Sequence, residues 1–229
     1  MDKKSLKKYA ELLVEKGVNL QKGQTLVVAA PVGAAVFVGE IARAAYRRKA
    51  ANVEILWSDP AVARMGYRYR TKSSLSVVPE WVVAQRRHYI DEKVAYLSVL
   101  SEDPEILKGI DPEKVAAARR ARSKALAEFR EYTSSNKIRW CIAAYPEKAW
   151  AKKMFPGLPQ REAMKRQWEA IARTVRLDEE DPIAAWEEHQ KNLERRCALL
   201  NGAKIRSFTY RNGIGTDFTI GMPKGYLFC

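Results

Sequence analysis

The sequence predicts an α/β fold: a mainly parallel sheet flanked by helices, followed by a helical segment and a C-terminal β-hairpin. Three observations carry this expectation. Four short apolar runs precede Tyr145, each separated from the next by a stretch long enough for a helix. The first of them, Thr25-Leu26-Val27-Val28-Ala29-Ala30, is continuously apolar, which suits a strand covered on both faces. From Glu147 to Asn201 the strand-like runs stop and helical periodicity takes over.

Taken in order, the first helix spans about Lys4 to Lys16, with Leu6, Tyr9, Ala10 and Leu13 at helical spacing and Gly17 as its stop. The Thr25–Ala30 strand is broken by Pro31 and Gly33, and a helix follows from about Ala34 to Arg48. Val53-Glu54-Ile55-Leu56-Trp57 is the second strand. Residues 60–92 are helical in pattern, most clearly after Pro79, where Trp81, Val82 and Val83 follow. Val94 to Val99 forms the third strand. Asp111-Pro112 opens one helix to about Tyr132, because aspartate caps the free N–H groups and proline fits the first turn.

Ile138 to Ala144 is the fourth strand. In the helical segment, Met164, Trp168, Ile171, Ala172 and Val175 mark one apolar stripe. Ile183, Trp186, Leu193, Cys197 and Leu200 mark another, opened by Asp181-Pro182 and stopped by Asn201-Gly202. Ile205–Tyr210 and Thr216–Ile220 flank Arg211-Asn212-Gly213-Ile214-Gly215, a hairpin signal because Asn-Gly tolerates positive φ. No internal repeat or low-complexity linker interrupts the chain.

The 229 residues suffice for one large domain or two small ones, and 47% hydrophobic with 30% charged residues describes an ordinary globular chain. No apolar run reaches the ~18 residues of a membrane span. Met1-Asp2-Lys3-Lys4-Ser5 leads into a charged helix without an apolar leader, so the expected location is cytoplasmic, with no membrane partner. The three cysteines, Cys141, Cys197 and Cys229, are far apart and lack a C-x-x-C, which argues against a disulfide framework and a structural zinc site.

The net charge of +14 raises the question of nucleic acid. Its distribution answers against it: the basic excess is spread along the chain rather than gathered in one segment. The densest cluster, Arg119, Arg120, Arg122 and Lys124, lies on a helix whose other side carries Ala118, Ala121, Ala125, Leu126 and Phe129, and it reads as a solvated face.

Candidate chemistry is sparse. His88 and His189 are the two histidines, and no H-E-x-x-H joins them. His88 sits in Arg86-Arg87-His88-Tyr89 as a helix-end residue, and the neighbours Glu187, Glu188 and His189 point in different directions on one helix. The turn Ala30-Pro31-Val32-Gly33-Ala34 joins a strand to a helix, where backbone N–H groups can hold an anion, but no glycine-rich phosphate motif accompanies it. G-x-S-x-G is absent, and the cysteines lie within or beside apolar stretches. From the residues themselves no catalytic or metal-binding residue is assigned, and no substrate-binding residue is identified.

One stretch resembles a known family. Ala144-Tyr145-Pro146-Glu147-Lys148-Ala149-Trp150-Ala151-Lys152-Lys153-Met154-Phe155-Pro156 is similar to the "YPTxxWAxxxFP" segment of the thermophilic metalloaminopeptidases, the aminopeptidase T and aminopeptidase S group, with Glu147 in place of the usual threonine. Gln167-Trp168-Glu169-Ala170-Ile171, then Asp181-Pro182-Ile183-Ala184-Ala185-Trp186-Glu187-Glu188-His189, then Leu199-Leu200-Asn201 follow in the same order. Gly215-Thr216-Asp217-Phe218-Thr219-Ile220-Gly221-Met222-Pro223 resembles the family's "GTDLTxGLP" strand, and Gly17-Val18 before Lys22-Gly23-Gln24-Thr25 also fits.

The resemblance implies an exopeptidase with two divalent metal ions, zinc or cobalt, an N-terminal α/β domain, a C-terminal catalytic domain, a peptide substrate and a homodimer. The family's ligands follow the "GTDLTxGLP" strand, beginning at a "NxPTEE" segment absent here, so none is carried over to this chain and no metal is expected in it. Asp217 is read as part of the strand framework, with orientation of a metal ligand as its alternative role. The resemblance divides the chain into an N-terminal α/β domain, residues 1–203, and a truncated start of the catalytic domain, residues 204–229. The expected function is the N-terminal part of a dinuclear-metal aminopeptidase that ends short of its first ligand and is inactive alone. A non-enzymatic basic module for nucleic acid or a small anion is the alternative.

Overall fold

The computed structural model describes residues 2–229, which fall into two compact units, one reaching to Glu180 and one from Asp181 to Cys229. The first unit is built on a four-stranded, wholly parallel sheet in the order β2-β1-β3-β4, with β1 Thr25–Pro31, β2 Asn52–Ser58, β3 Ala95–Leu100 and β4 Trp140–Ala144. Register runs Thr25 with Asn52 to Pro31 with Ser58, Leu26 with Ala95, and Tyr96 with Trp140. The four expected strands are all present.

Alternation along β1 decides which helices cover which face. Leu26, Val28 and Ala30 join Leu97, Val99 and Ala143 against α1 (Lys3–Leu12), α2 (Ala35–Arg47) and α9 (Gln160–Thr174), which bring Tyr9, Phe37, Ile41, Trp168 and Ile171 to this core. Val27 points the other way, into a smaller cluster with Tyr89 and Val94 that Leu56, Tyr96 and Phe129 complete. Tyr89 comes from α5 (Glu80–Asp91), and Phe129 from α7 (Ala127–Ser134). Each such side chain, fully buried, contributes about 1.5–3 kcal/mol of transfer free energy, so the larger face holds most of the unit's apolar stabilisation.

Helix starts follow the aspartates. Asp59, Asp111 and Asp181, each followed by proline, cap α3 (Pro60–Tyr69), α6 (Pro112–Ala125) and α10 (Pro182–Gly202). In α10 the Asp181 carboxylate accepts from the Ile183 and Ala184 N–H groups at 2.9 and 3.1 Å. The 60–92 region resolves into α3, the short α4 (Lys72–Leu75) and α5.

Two local expectations are corrected. The helix predicted from Pro112 to Tyr132 is two helices, because Leu126 leaves the helical region (φ −104°, ψ 23°). The break turns Phe129 towards Tyr96, with ring centroids 5.3 Å apart, and the smaller core is completed by that contact. The hairpin of β5 (Ser207–Arg211) and β6 (Asp217–Gly221) does form. Its turn does not depend on positive φ at Asn212 or Gly213; Gly215 takes that conformation, at +101°. Asn212 works through its side chain, whose Oδ1 accepts from the N–H groups of Ile214 and Thr216 at 3.1 and 3.0 Å.

Within the second unit Asn201 clamps the chain's last residues. Its amide donates to the Phe228 carbonyl and its Oδ1 accepts from the Phe228 N–H, both at 2.9 Å. Compactness divides the chain at the start of α10, whereas the boundary expected at 203/204 falls just beyond its end.

Gly17, which ends a wide final turn of the first helix (Leu13–Gly17), lies against β4. A Cβ added there would sit 3.0 Å from the Cys141 Sγ and 3.4 Å from its Cβ. Gly17→Ala is therefore expected to destabilise the chain by ~1–3 kcal/mol through overpacking. In a double-mutant cycle with Cys141→Ala, measured by urea unfolding, most of that cost should disappear. Equal costs in both backgrounds would show that the contact is not responsible.

Candidate functional site

In an open parallel sheet the functional crevice lies outside the carboxyl ends of the strands, where the strand order reverses. Here that point is the junction of β1 with β3, since β2 pairs on the opposite side of β1. The segments that meet this edge are 31–34, 58–59, 100–103 and 145–147. Their carboxylates are largely engaged by the backbone. Asp59 accepts from the N–H groups of Ala61 and Val62, Asp103 from that of Glu105, and Glu147 from that of Trp150 at 2.9 Å.

The segment Tyr145-Pro146-Glu147 is the best-built part of this edge. The Tyr145 N–H donates to the Leu100 carbonyl at 2.8 Å, extending the β3–β4 ladder by one residue. Its ring stacks on Phe37 (centroids 5.2 Å, interplanar 8°), and Phe37 stacks in turn on Tyr9 at 5.0 Å. Tyr9 meets Trp168 edge-on at 6.0 Å and donates its hydroxyl to the Ala144 carbonyl at 3.3 Å. Burial pushes the Tyr9 hydroxyl well above the ordinary phenol range and raises that of Tyr145 as well, so both stay neutral.

Glu147 then caps α8 (Lys148–Met154), and its own N–H donates to the Gln167 Oε1 at 3.0 Å. Two segments far apart in sequence, Tyr145–Glu147 and Gln167–Trp168, thus form one packed joint. The departure from threonine at position 147 keeps a capping oxygen where a helix start needs one. Sequence reasoning noted both segments and missed that they touch. A glutamine at an otherwise apolar helical position was the available signal, because a buried amide needs a partner.

The residues singled out for chemistry are dispersed. His88 is exposed on α5, near the Tyr89 ring. His189 lies in the other unit, edge-on to Trp186 at 5.5 Å. All three cysteines are free; Cys141 and Cys197 are partly buried and Cys229 is exposed. Burial raises the Cys141 thiol's pKa, which suits packing rather than nucleophilic attack.

Asp217 sits opposite Arg211 in the hairpin, with the guanidinium Nε 3.1 Å from its Oδ1. The Pro31–Ala34 turn is a short 3₁₀ turn into α2, and a Cβ at Gly33 would meet nothing within 4 Å, so no close backbone approach requires that glycine. Among the described residues no group of three or more His, Cys, Asp or Glu is placed to hold a metal ion. No helix among the described residues is long and apolar enough to cross a membrane.

Comparison with known proteins draws these features together. Aminopeptidase T of Thermus thermophilus is 36% identical over 225 residues, covering 98% of this chain and 55% of the relative. Aminopeptidase AmpS of Bacillus subtilis is 37% identical over 222 residues, covering 97% and 54%. The solved structure of wild-type AmpT from Thermus thermophilus superposes with a TM-score of 0.90 at 34% identity, over 98% of this chain and 55% of that one. The chain thus spans about half the length of the curated relatives it matches. A non-enzymatic nucleic-acid or anion module finds no support in these matches. The model of the family described as thermophilic metalloprotease (M29) matches residues 2–229, and the chain belongs to that family.

Proposed function

We propose that residues 1–229 are the N-terminal part of a dinuclear-metal aminopeptidase that removes N-terminal residues from peptides. The observation that carries this reading is the family match over residues 2–229, together with relatives named as aminopeptidases that extend to almost twice the aligned length. Two divalent ions, zinc or cobalt, would activate a water and polarise the scissile carbonyl. Their ligands, in this reading, belong to the half of the protein outside these residues. The α/β unit then forms one wall of the substrate cleft, the whole protein is a homodimer, and its location is cytoplasmic. The domain boundary in the whole protein falls near 203/204, after α10.

The purified chain, assayed with an aminoacyl chromogenic substrate and added cobalt or zinc, is expected to show no turnover. The product of a reading frame as long as the relatives is expected to show turnover that a chelator abolishes. Chelator-sensitive turnover by the chain alone, or none by the longer protein, would overturn the proposal.

A further inference from the structure

A second site is carried by a buried arginine that makes no direct ion pair and borders a basic cleft. Arg86 on α5 is only 8% exposed. Its Nη1 donates to the neutral Gln85 Oε1 at 2.9 Å, and no acidic group among the described residues pairs with it directly. Glu54 is linked to it through two neighbours, since the Gln85 amide donates to the Glu54 Oε1 at 3.3 Å and the Tyr89 hydroxyl donates to the same oxygen. The guanidinium carbon lies 5.3, 5.7 and 5.6 Å from the ring centres of Tyr89, Tyr96 and Phe129. Those rings hold the cation in place, and Glu54 stands one residue removed from it rather than in direct contact.

Arg86 borders a cleft of about 430 Å³ next to the break between α6 and α7. Arg119, Arg122 and Arg130 line the same cleft, with Ser123 and Thr133, and no acidic residue lines it. Arg130 already donates to the Ser123 hydroxyl. Arg119 and Arg122 have no hydrogen-bond or ion-pair partner for their guanidinium groups among the described residues. Nearby Glu128 is taken by Arg87, which is not a lining residue, at 3.0 Å. Four arginines line this one cleft, and a bound oxyanion would offset the like charge they gather there. Arg120, between Arg119 and Arg122 in sequence, is not part of the lining, so the site is more selective than the basic run that contains it.

We propose that this cleft binds a small phosphate monoester, independently of the peptidase reading. A phosphate dianion presents three oxygens to several guanidinium forks, which a single carboxylate cannot match. The walls supplied by Leu126 and Phe129 are apolar and suit an organic body attached to the phosphate.

The test is calorimetric titration of the full chain with phenyl phosphate at low salt, against inorganic phosphate and benzoate. Phenyl phosphate is expected to bind more tightly than either. Arg119→Gln with Arg122→Gln, both exposed and outside the core, is expected to weaken it about tenfold or more, as loss of charge-assisted hydrogen bonds implies. Arg120→Gln removes a charge from the same helix and is expected to leave binding unchanged. Arg86→Met probes the buried cation, and the exposed pair still decides the matter if that variant does not fold. No binding of phenyl phosphate at millimolar concentration overturns the proposal. So does equal binding of benzoate, or equal weakening by Arg120→Gln, which would show only diffuse attraction.

Discussion

Phe37→Ala is expected to destabilise the α/β unit by ~3–5 kcal/mol, the range for deleting a buried phenyl ring from a core that relaxes only partly. Phe37 is fully buried and lies between two aromatic partners, Tyr9 at 5.0 Å and Tyr145 at 5.2 Å, both nearly parallel to it. Its removal therefore takes away its own transfer free energy and both stacking contacts, each worth ~0.5–1.5 kcal/mol beyond area. It also opens a void beneath Tyr145, whose N–H extends the sheet. Urea unfolding followed by near-ultraviolet circular dichroism measures the loss. Phe37→Leu should lose clearly less, because it refills much of the volume. A cost below about 1 kcal/mol for the alanine variant would mean that the stack is not a keystone of the core.

Gln167→Ala is expected to be the next most damaging change considered, at ~2–3 kcal/mol, because it combines a lost acceptor with a cavity. Gln167 is completely buried on α9, and its Oε1 is the acceptor for the N–H of Glu147. Its Nε2 finds no partner among the described residues. The side chain thus carries a benefit and a penalty together, and Gln167→Met separates the loss of this polar group from the cavity. Methionine refills the volume and removes the unpaired amide nitrogen, leaving only the Glu147 N–H without its acceptor. Its cost should therefore fall below that of the alanine variant, as thermal or urea unfolding will show. Equal costs for the two variants would assign the effect to the Glu147 hydrogen bond alone.

How much of this was readable in the sequence depends on the range of the forces involved. The sheet was legible because Thr25–Ala30 is continuously apolar and its three companion runs are short, apolar-rich and set apart by helix-length stretches. Helix starts were legible at Asp111-Pro112 and Asp181-Pro182, where the cap is local chemistry. The break at Leu126 was not, because nothing in its neighbours forbids a helix; the packing of Phe129 on Tyr96 and Arg86 favours the turn. The hairpin was placed correctly for a reason that was partly wrong, since the Asn212 side chain rather than its backbone shapes the loop. At the sheet's carboxyl edge, both halves of the Glu147–Gln167 joint were visible as segments, but contact between distant segments leaves no local trace. Arg86 was hidden inside a basic helix end, and only the fold separates a buried guanidinium from its solvated neighbours.

The parallel sheet also sets the order in which the chain can acquire its structure. β1 sits between β2 and β3, and it can pair with β2 as soon as one helical crossover has formed. Its other edge must wait for β3, because Leu26 pairs with Ala95 and three helices lie between β2 and β3. Closing that longer loop before any pairing energy returns is the slow kind of step in folding, and during synthesis the partner strand emerges later. Until then one edge of β1 stays open, with the backbone N–H and C=O groups on that side unpaired. The interval between synthesis of Pro31 and of Leu100 is accordingly the period in which the nascent chain is most exposed to misassociation.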